Sequence, residues 1–341
     1  MKTILITGGA GFIGSNFVRH LFYKYPDYRL LVLDLLTYAG NPENLPDEIK
    51  ESNRFEFWYG NVNNGGLVDM LVAKSDAVVH FAAESHVARS IFDDRIFFET
   101  DVLGTQTVAS TVLEHSRVER FIHISTSEVY GTAITAPMTE EHPLNPMTPY
   151  ASAKAGADRL VYSYWATYDL PAVIVRPFNQ YGPYQHLEKV IPRFITSALL
   201  DTPLTVHGDG SSRRDWTYVS DTCEAIDRVL HAKLDTVKGK VINIGSGCDL
   251  DVLAIAKKIL NLMDKPASLI QFIGERPGQV QHHIASTVCA EQLLEWRATT
   301  NFEAGLTKTI EWYRKNLDWW KKLLWMKHVP IKTRTGKVEY Y

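Results

Sequence analysis

Residues 3–14 read TILITGGAGFIG. A run of apolar and β-branched residues stops at Gly8, and glycines recur at 11 and 14 where a helical pattern begins and carries on to about Tyr23. The order predicts a buried strand, a tight turn and a helix. Without a Cβ, the turn lets a pyrophosphate approach the helix N-terminus, where free N–H groups and the helix dipole favour negative charge. A glycine triplet alone is weak evidence. Here a second apolar run, Arg29–Asp34, ends on a carboxylate about twenty residues beyond Gly14, the place from which an acid accepts both ribose hydroxyls. Such a carboxylate favours NAD over NADP, because a 2′-phosphate would meet a like charge.

Working outward, the first half alternates short β-branched runs with longer helical patterns. Strands are expected at Thr3–Thr7, Arg29–Asp34, Ala77–Phe81, Phe121–Ser125 and Ala172–Arg176, with helices from about Gly11 to Tyr23, near Phe98–His115 and from about Ala151 to Tyr168. This is the signature of βαβ units. The fold class is therefore α/β, a Rossmann-type doubly wound parallel sheet with a smaller α/β substrate-binding lobe. After Pro177 the grain changes, and turns such as Gly182-Pro183 and Gly208-Asp209-Gly210 crowd between shorter elements. The expected division is an NAD-binding domain over 1–177, with a return excursion near 213–245, and a nucleotide-sugar-binding lobe over 178–341.

Composition narrows the function. The 341 residues are 45% hydrophobic with a formal net charge of −3, so no global basic field argues for nucleic acid or an anionic membrane. Cys223, Cys248 and Cys289, 25 and 41 residues apart, fit neither a closed metal knuckle nor an even disulfide framework. The glycines break the first apolar run too early for a signal peptide, and no stretch approaches a membrane span. A cytoplasmic protein with a small-molecule partner is expected. The tail from Arg314 is basic and carries Trp319, Trp320 and Trp325, read as a terminal helix packed on the second lobe.

The chemistry-bearing residues cluster after the predicted strands. Tyr150 and Lys154 are four apart and share one helix face. A nearby ammonium and a cationic cofactor ring both favour phenolate, pulling a group whose ordinary pKa is about 10 toward useful base strength. Thr126 follows the strand before that helix and can hydrogen-bond the same substrate hydroxyl. The stretch STSEVYG, 125–131, adds Ser127 and Glu128 at the same strand mouth. A lone glutamate there is ordinarily a solvated loop acid.

In this order and at these spacings, the glycine triplet, Asp34, Thr126, Tyr150 and Lys154 resemble the extended short-chain dehydrogenase/reductases. LTYAGNPENL (36–45), VVHFAAESHVARS (78–90), VLGTQT (102–107), YGPYQHLEKVIP (181–192) and RRDWTYVSD (213–221) resemble more narrowly the nucleotide-sugar 4,6-dehydratases, most of all those acting on dTDP-glucose. The resemblance implies a tightly held NAD touched by Gly8, Gly11, Phe12, Ile13, Gly14, Asp34, Asn61, Val62, Ala82 and Ala83, with Tyr150 and Lys154 at its reactive end. It implies a nucleotide sugar bound by Ser85, His86, Asn179, Lys189, Val206, His207, Arg214 and Asn243, the guanidinium pairing with phosphate. It implies oxidation at C4 while Tyr150 takes the O4 proton, removal of the C5 proton by Glu128, loss of the C6 hydroxyl as water and return of the stored hydride to C6. It also implies a homodimer through a four-helix bundle, with Val102, Val108, Val112, Leu160 and Tyr164 as its apolar faces.

Departures from that pattern leave the substrate open. Ser127 stands where the thymidine-sugar enzymes carry an aspartate that protonates the leaving hydroxyl; Ser-Glu instead resembles GDP-mannose and UDP-N-acetylhexosamine 4,6-dehydratases and UDP-glucuronate decarboxylases. Ala88, Asp101, Asn61 and His207 also differ from the expected residues. A decarboxylase, an epimerase and a catalytically silent NAD-binding regulator are the competing expectations. For Arg214 the plain alternative is an ion pair with Asp215 or Asp221.

Overall fold

The computed structural model describes residues 2–326, 330–332 and 338–340. Its centre is a seven-stranded sheet in the spatial order Phe55–Tyr59, Arg29–Asp34, Thr3–Thr7, Ala77–His80, Arg120–Ile124, Ala172–Pro177 and Val241–Ile244. Every pairing is parallel, so the strands are covered on both faces and read as apolar runs. Alternate residues supply the two cores. Ile4, Ile6, Val32, Ile122 and Ile242 point into one, against the helices Phe12–Lys24 and Val219–His231; Leu5, Leu31, Leu33, Val78 and Phe121 point into the other, with Val108, Val112 and Val161. This is the doubly wound parallel sheet expected from the alternation.

The sequence pattern missed two of these strands. Phe55–Tyr59 is an edge strand whose residues after Phe55 are only partly covered or exposed, so Glu56 interrupts the apolar run that marks the others. Val241–Ile244 is short and lies far along the chain, closing the opposite edge against Ala172–Pro177. The return to the sheet begins with the helix at Val219, since Arg213–Tyr218 instead pairs with Asn179–Tyr181 and Asp249–Asp251 in a small second sheet. A second return follows, the helix Val288–Leu294, whose Ala290 and Leu294 join the sheet core.

The other lobe gathers Ile191, Phe194, Leu204, Val206, Ile255, Ile259, Leu306, Ile310 and Tyr313 into its own core. Trp319 and Trp320 are buried there, as expected of the tail, whereas Trp325 is 79% exposed. Lys327, Arg334 and Lys337 of the basic tail lie outside the described residues. No helix among the described residues is long and apolar enough to cross a membrane.

The expected helix near Phe98–His115 is a π-helical turn over Phe98–Leu103 followed by an α-helix over Gly104–Glu114. The wider turn carries Asp101, fully buried, with its Oδ1 accepting from the Glu84 N–H at 2.8 Å. Such turns concentrate at functional sites.

Candidate active site

A cavity of about 330 Å³ runs along the carboxyl ends of the central strands. It spans the point where Thr3–Thr7 lies between Arg29–Asp34 and Ala77–His80, the crevice in which open α/β sheets bind ligands. At one end the chain turns at Gly8, with φ +71, where a Cβ would lie 2.6 Å from the Ala82 nitrogen. A Cβ on Gly14 would collide with the Gly8 carbonyl, and the helix that follows has no side-chain cap on its first turn. The cradle therefore admits something flat and anionic against free N–H groups. Asp34 is buried behind it, accepting from Leu36 N at 2.8 Å and Ala10 N at 2.9 Å. Burial pushes its carboxyl up, and those two N–H bonds oppose the rise. Phe12, Ile13, Asn61, Val62, Ala82 and Ala83 complete this end.

At the other end Thr126, Ser127, Glu128, Tyr150 and Lys154 share the wall. Thr126 caps the 3-10 turn Ser127–Tyr130 by accepting from the Glu128 N–H at 3.2 Å, which leaves its hydroxyl proton for the Tyr150 phenol. Tyr150 lies in the first turn of the helix Pro149–Tyr168, one turn before Lys154. The Lys154 ammonium donates to the Ile124 carbonyl at 2.8 Å, which ties that helix to the neighbouring strand end. Burial, then the charge of Asp101, push the Tyr150 phenol up, and the Thr126 hydroxyl only moderates this. Lys154 is held on a backbone carbonyl and is itself pushed down by burial.

Glu128 is different. Burial alone would raise a carboxyl, yet His283, Arg214, Arg276 and Lys189 outweigh it, so Glu128 sits below the ordinary glutamate range. Burial pushes His283 down to about 4, so at neutral pH the standing charges around Glu128 are the two guanidiniums and the ammonium. This end of the cavity thus holds a carboxylate pushed down and a phenol pushed up from their ordinary values.

Of the residues expected at the sugar nucleotide, Ser85, Asn179 and Lys189 line the cavity. Lys189 donates to the Ser85 carbonyl at 2.8 Å and lies 3.1 Å from Glu188. His86 stands just behind, its Nε2 3.1 Å from Glu188 Oε2. Arg214 is buried near Glu128 and takes neither expected acid: Asp215 accepts from Ser246, Gly247 and Ala285, and Asp221 from Thr299 and Thr300. Val206 and His207 belong to the second-lobe strand Leu204–His207 and are not among the residues lining this cavity. Asn243 must be corrected outright. It is fully buried on the edge strand, donating to Met138 O and accepting from the Tyr130 hydroxyl, so its amide is structural.

Sequence reading missed Glu188, Arg276, His283 and Tyr38. Tyr38 donates to Glu188 at 3.0 Å, within a buried knot that includes His186. Glu188 could have been found, since it adjoins Lys189 in the quoted YGPYQHLEKVIP. Arg276 and His283 come from a turn-rich segment with no periodic signal.

The family model for GDP-mannose 4,6 dehydratase matches residues 5–309. The chain belongs to that family. Within the GDP-mannose 4,6 dehydratase family it is 44% identical to the low-salt glycan biosynthesis protein Agl12 of Haloferax volcanii, over 91% of this chain and 98% of that one. It is 41% identical to the dTDP-glucose 4,6-dehydratase of Streptomyces niveus, over 94% of this chain and 95% of that one. The crystal structure of DesIV, a dTDP-glucose 4,6-dehydratase from Streptomyces venezuelae solved with NAD bound, superposes with a TM-score of 0.90 at 40% identity, covering 94% of this chain and 99% of that one.

Proposed function

We propose that the protein is an NAD-dependent nucleotide-sugar 4,6-dehydratase, a hydro-lyase converting an NDP-hexose such as dTDP-glucose to the NDP-4-keto-6-deoxyhexose. The observation that carries this reading is Glu128 on the wall of the same cavity as Thr126, Tyr150 and Lys154, with Arg214, Arg276 and Lys189 around it. A simple oxidation or 4-epimerisation has little use for a second base there.

The glycine turn and Asp34 fit the dinucleotide, with the pyrophosphate at Gly8–Gly14 and the ribose hydroxyls on Asp34. NAD, when bound, supplies the oxidation at C4 and the matching reduction at C6. Thr126 and Tyr150 hold the O4 hydroxyl, and Tyr150 takes its proton. Once C4 is a ketone, the C5 proton is acidic, and Glu128 removes it. The C6 hydroxyl departs as water. Asn179, Lys189, Arg214 and Arg276 hold the diphosphate end. The halves of the chain divide this work: 1–177, with the returns over 219–244 and 288–294, holds the dinucleotide, and the remainder of 178–326 encloses the nucleotide sugar.

Two broader inferences belong with this. The protein acts in the cytoplasm with its cysteines reduced, and it works as a homodimer through the helices Gly104–Glu114 and Pro149–Tyr168. Val108 and Val112 cannot serve that face, because both are buried in the protomer core. Leu103 (54% exposed), Tyr162 and Tyr168 present apolar surface on the same two helices or beside them. Incubation with dTDP-glucose, UDP-glucose, GDP-mannose and a nucleotide-hexuronate, followed by mass spectrometry, tests the reaction. Loss of one water from a hexose is expected. Loss of carbon dioxide from the hexuronate, or an isomer of unchanged mass, would assign a decarboxylase or an epimerase instead.

A further inference from the structure

Ser127 and His283 face each other although they are far apart in the chain. Ser127 is 2% exposed and His283 fully buried, and Ser127 Oγ lies 3.4 Å from His283 Nδ1. The other ring nitrogen, Nε2, lies 2.6 Å from the Gly131 carbonyl oxygen. A carbonyl only accepts, so Nε2 carries the proton. In the neutral ring Nδ1 is then bare, and the hydrogen bond there must be donated by the Ser127 hydroxyl.

The arrangement is built firmly. Gly131 has φ +68 and no room for a side chain, since a Cβ would strike Asn145 O, so its carbonyl direction is fixed by glycine. On the histidine side, His283 N donates to Arg213 O at 3.1 Å, Met138 N to Ile284 O at 2.8 Å and Ala285 N to Asp215 at 3.1 Å. Phe178 packs edge-on against the imidazole, with ring centroids 6.0 Å apart. Burial, first, and the charge of Arg214 keep the ring neutral, although Glu128 opposes them.

We propose that His283 is a positioning residue that holds the Ser127 hydroxyl as an acceptor toward the cavity, so that Ser127 orients the departing C6 hydroxyl without protonating it. This rests on the dehydratase reading. With its hydrogen directed at His283, Ser127 cannot donate to the leaving oxygen; its lone pairs can accept from the C6 hydroxyl and orient it. The step balances on one carboxylate. The C5–H bond breaks and its proton moves to Glu128; the C6–O bond breaks as that proton moves to O6; water leaves and a C5=C6 double bond forms, conjugated with the C4 ketone. The proton that C5 later needs is matched by the O4 proton that Tyr150 took up. A 3.4 Å contact is long for a hydrogen bond, so its effect is a bias in orientation rather than a large rate term.

Two measurements decide this. Nitrogen NMR of the labelled protein at neutral pH, without substrate, is expected to show His283 protonated at Nε2 and bare at Nδ1; a proton on Nδ1, or an imidazolium, overturns the assignment whatever the substrate. The second is a double-mutant cycle on the elimination step in a single turnover with dTDP-glucose. H283Q offers an amide N–H to Gly131 and puts carbon at the Nδ1 position that faces Ser127, its one acceptor, the amide oxygen, lying at the far end of the side chain. It is expected to slow elimination by about tenfold, below the roughly 10²–10⁴-fold that a general acid or base supplies, and to add nothing in an S127A background. Additive losses would overturn the role of His283 alone. Losses of about 10²–10⁴-fold in H283Q and S127A alike would make the pair the general acid and overturn the proposal. Failure of the wild type to dehydrate dTDP-glucose, UDP-glucose or GDP-mannose would overturn the dehydratase reading and the role with it.

Discussion

Glu128 and Ser127 are neighbours with opposite expected sensitivities. Glu128 is to be both base and acid, so E128Q should lower dehydration at least about a thousandfold, within the range general acid–base groups supply. S127A should cost about tenfold or less, because Ser127 only orients the leaving hydroxyl; single-turnover water loss measures both. The pH dependence follows from the same surroundings. Burial raises the Glu128 carboxyl, but His283, Arg214, Arg276 and Lys189 outweigh it. A base with a depressed pKa stays competent as pH falls through the usual glutamate value of about 4.3 and fails only below it. The acid limb of the elimination rate should therefore lie below that value; a limb near neutrality would place the base elsewhere. At this scale much was legible in the sequence. Tyr150 and Lys154 share a helix turn and Thr126 and Glu128 follow a strand end, and the resemblance to a known family is what joins Glu128 to the other three. His283 and Arg276 were not, because a turn-rich segment gives no sign of what it will fold against. Asn243 was misplaced for a related reason: its surroundings, Met138 and Tyr130, are supplied by a distant loop.

The helix Pro149–Tyr168 must hold Tyr150 and Lys154 against the sheet, and one buried ion pair anchors it. Asp158 on that helix meets Arg176 on the strand Ala172–Pro177 through two contacts of 2.8 Å, with side chains 0% and 2% exposed. Burial would raise Asp158, but hydrogen bonds and charge from Arg176 hold it well below the carboxylate range. With a depressed folded-state pKa, its contribution to stability is complete above the ordinary aspartate value of about 3.9 and is lost as pH falls below it. D158A strands a buried guanidinium and should cost about 3–5 kcal/mol, read as a lower urea midpoint. A change within experimental scatter would mean that the pair is dispensable. The elements themselves were read from sequence where apolar runs are continuous, as at Thr3–Thr7 and Arg120–Ile124. Phe55–Tyr59 escaped because an edge strand need not be apolar throughout, and the three-residue strands of the second lobe are too short to show a period.

For the whole molecule the open question is assembly. Leu103, Tyr162 and Tyr168 leave apolar surface on the helices expected to pair. Light scattering at micromolar concentration should give twice the chain mass, and L103D should return it to the monomer; a wild-type monomer would refute the bundle. The sequence suggested which helices, but not which side chains. Val108 and Val112 fit the periodicity of an exposed stripe, yet the protomer core takes them first. The account as a whole rests on a division of labour in one cavity, with Tyr150 for the oxidation at C4 and Glu128 for the elimination that follows. The most direct test is to add dTDP-glucose to E128Q and follow the nicotinamide absorbance and the product mass together. The account predicts that reduced cofactor accumulates while the sugar loses no water. Full turnover by E128Q, or no change in absorbance with a sugar that the wild type dehydrates, would contradict it.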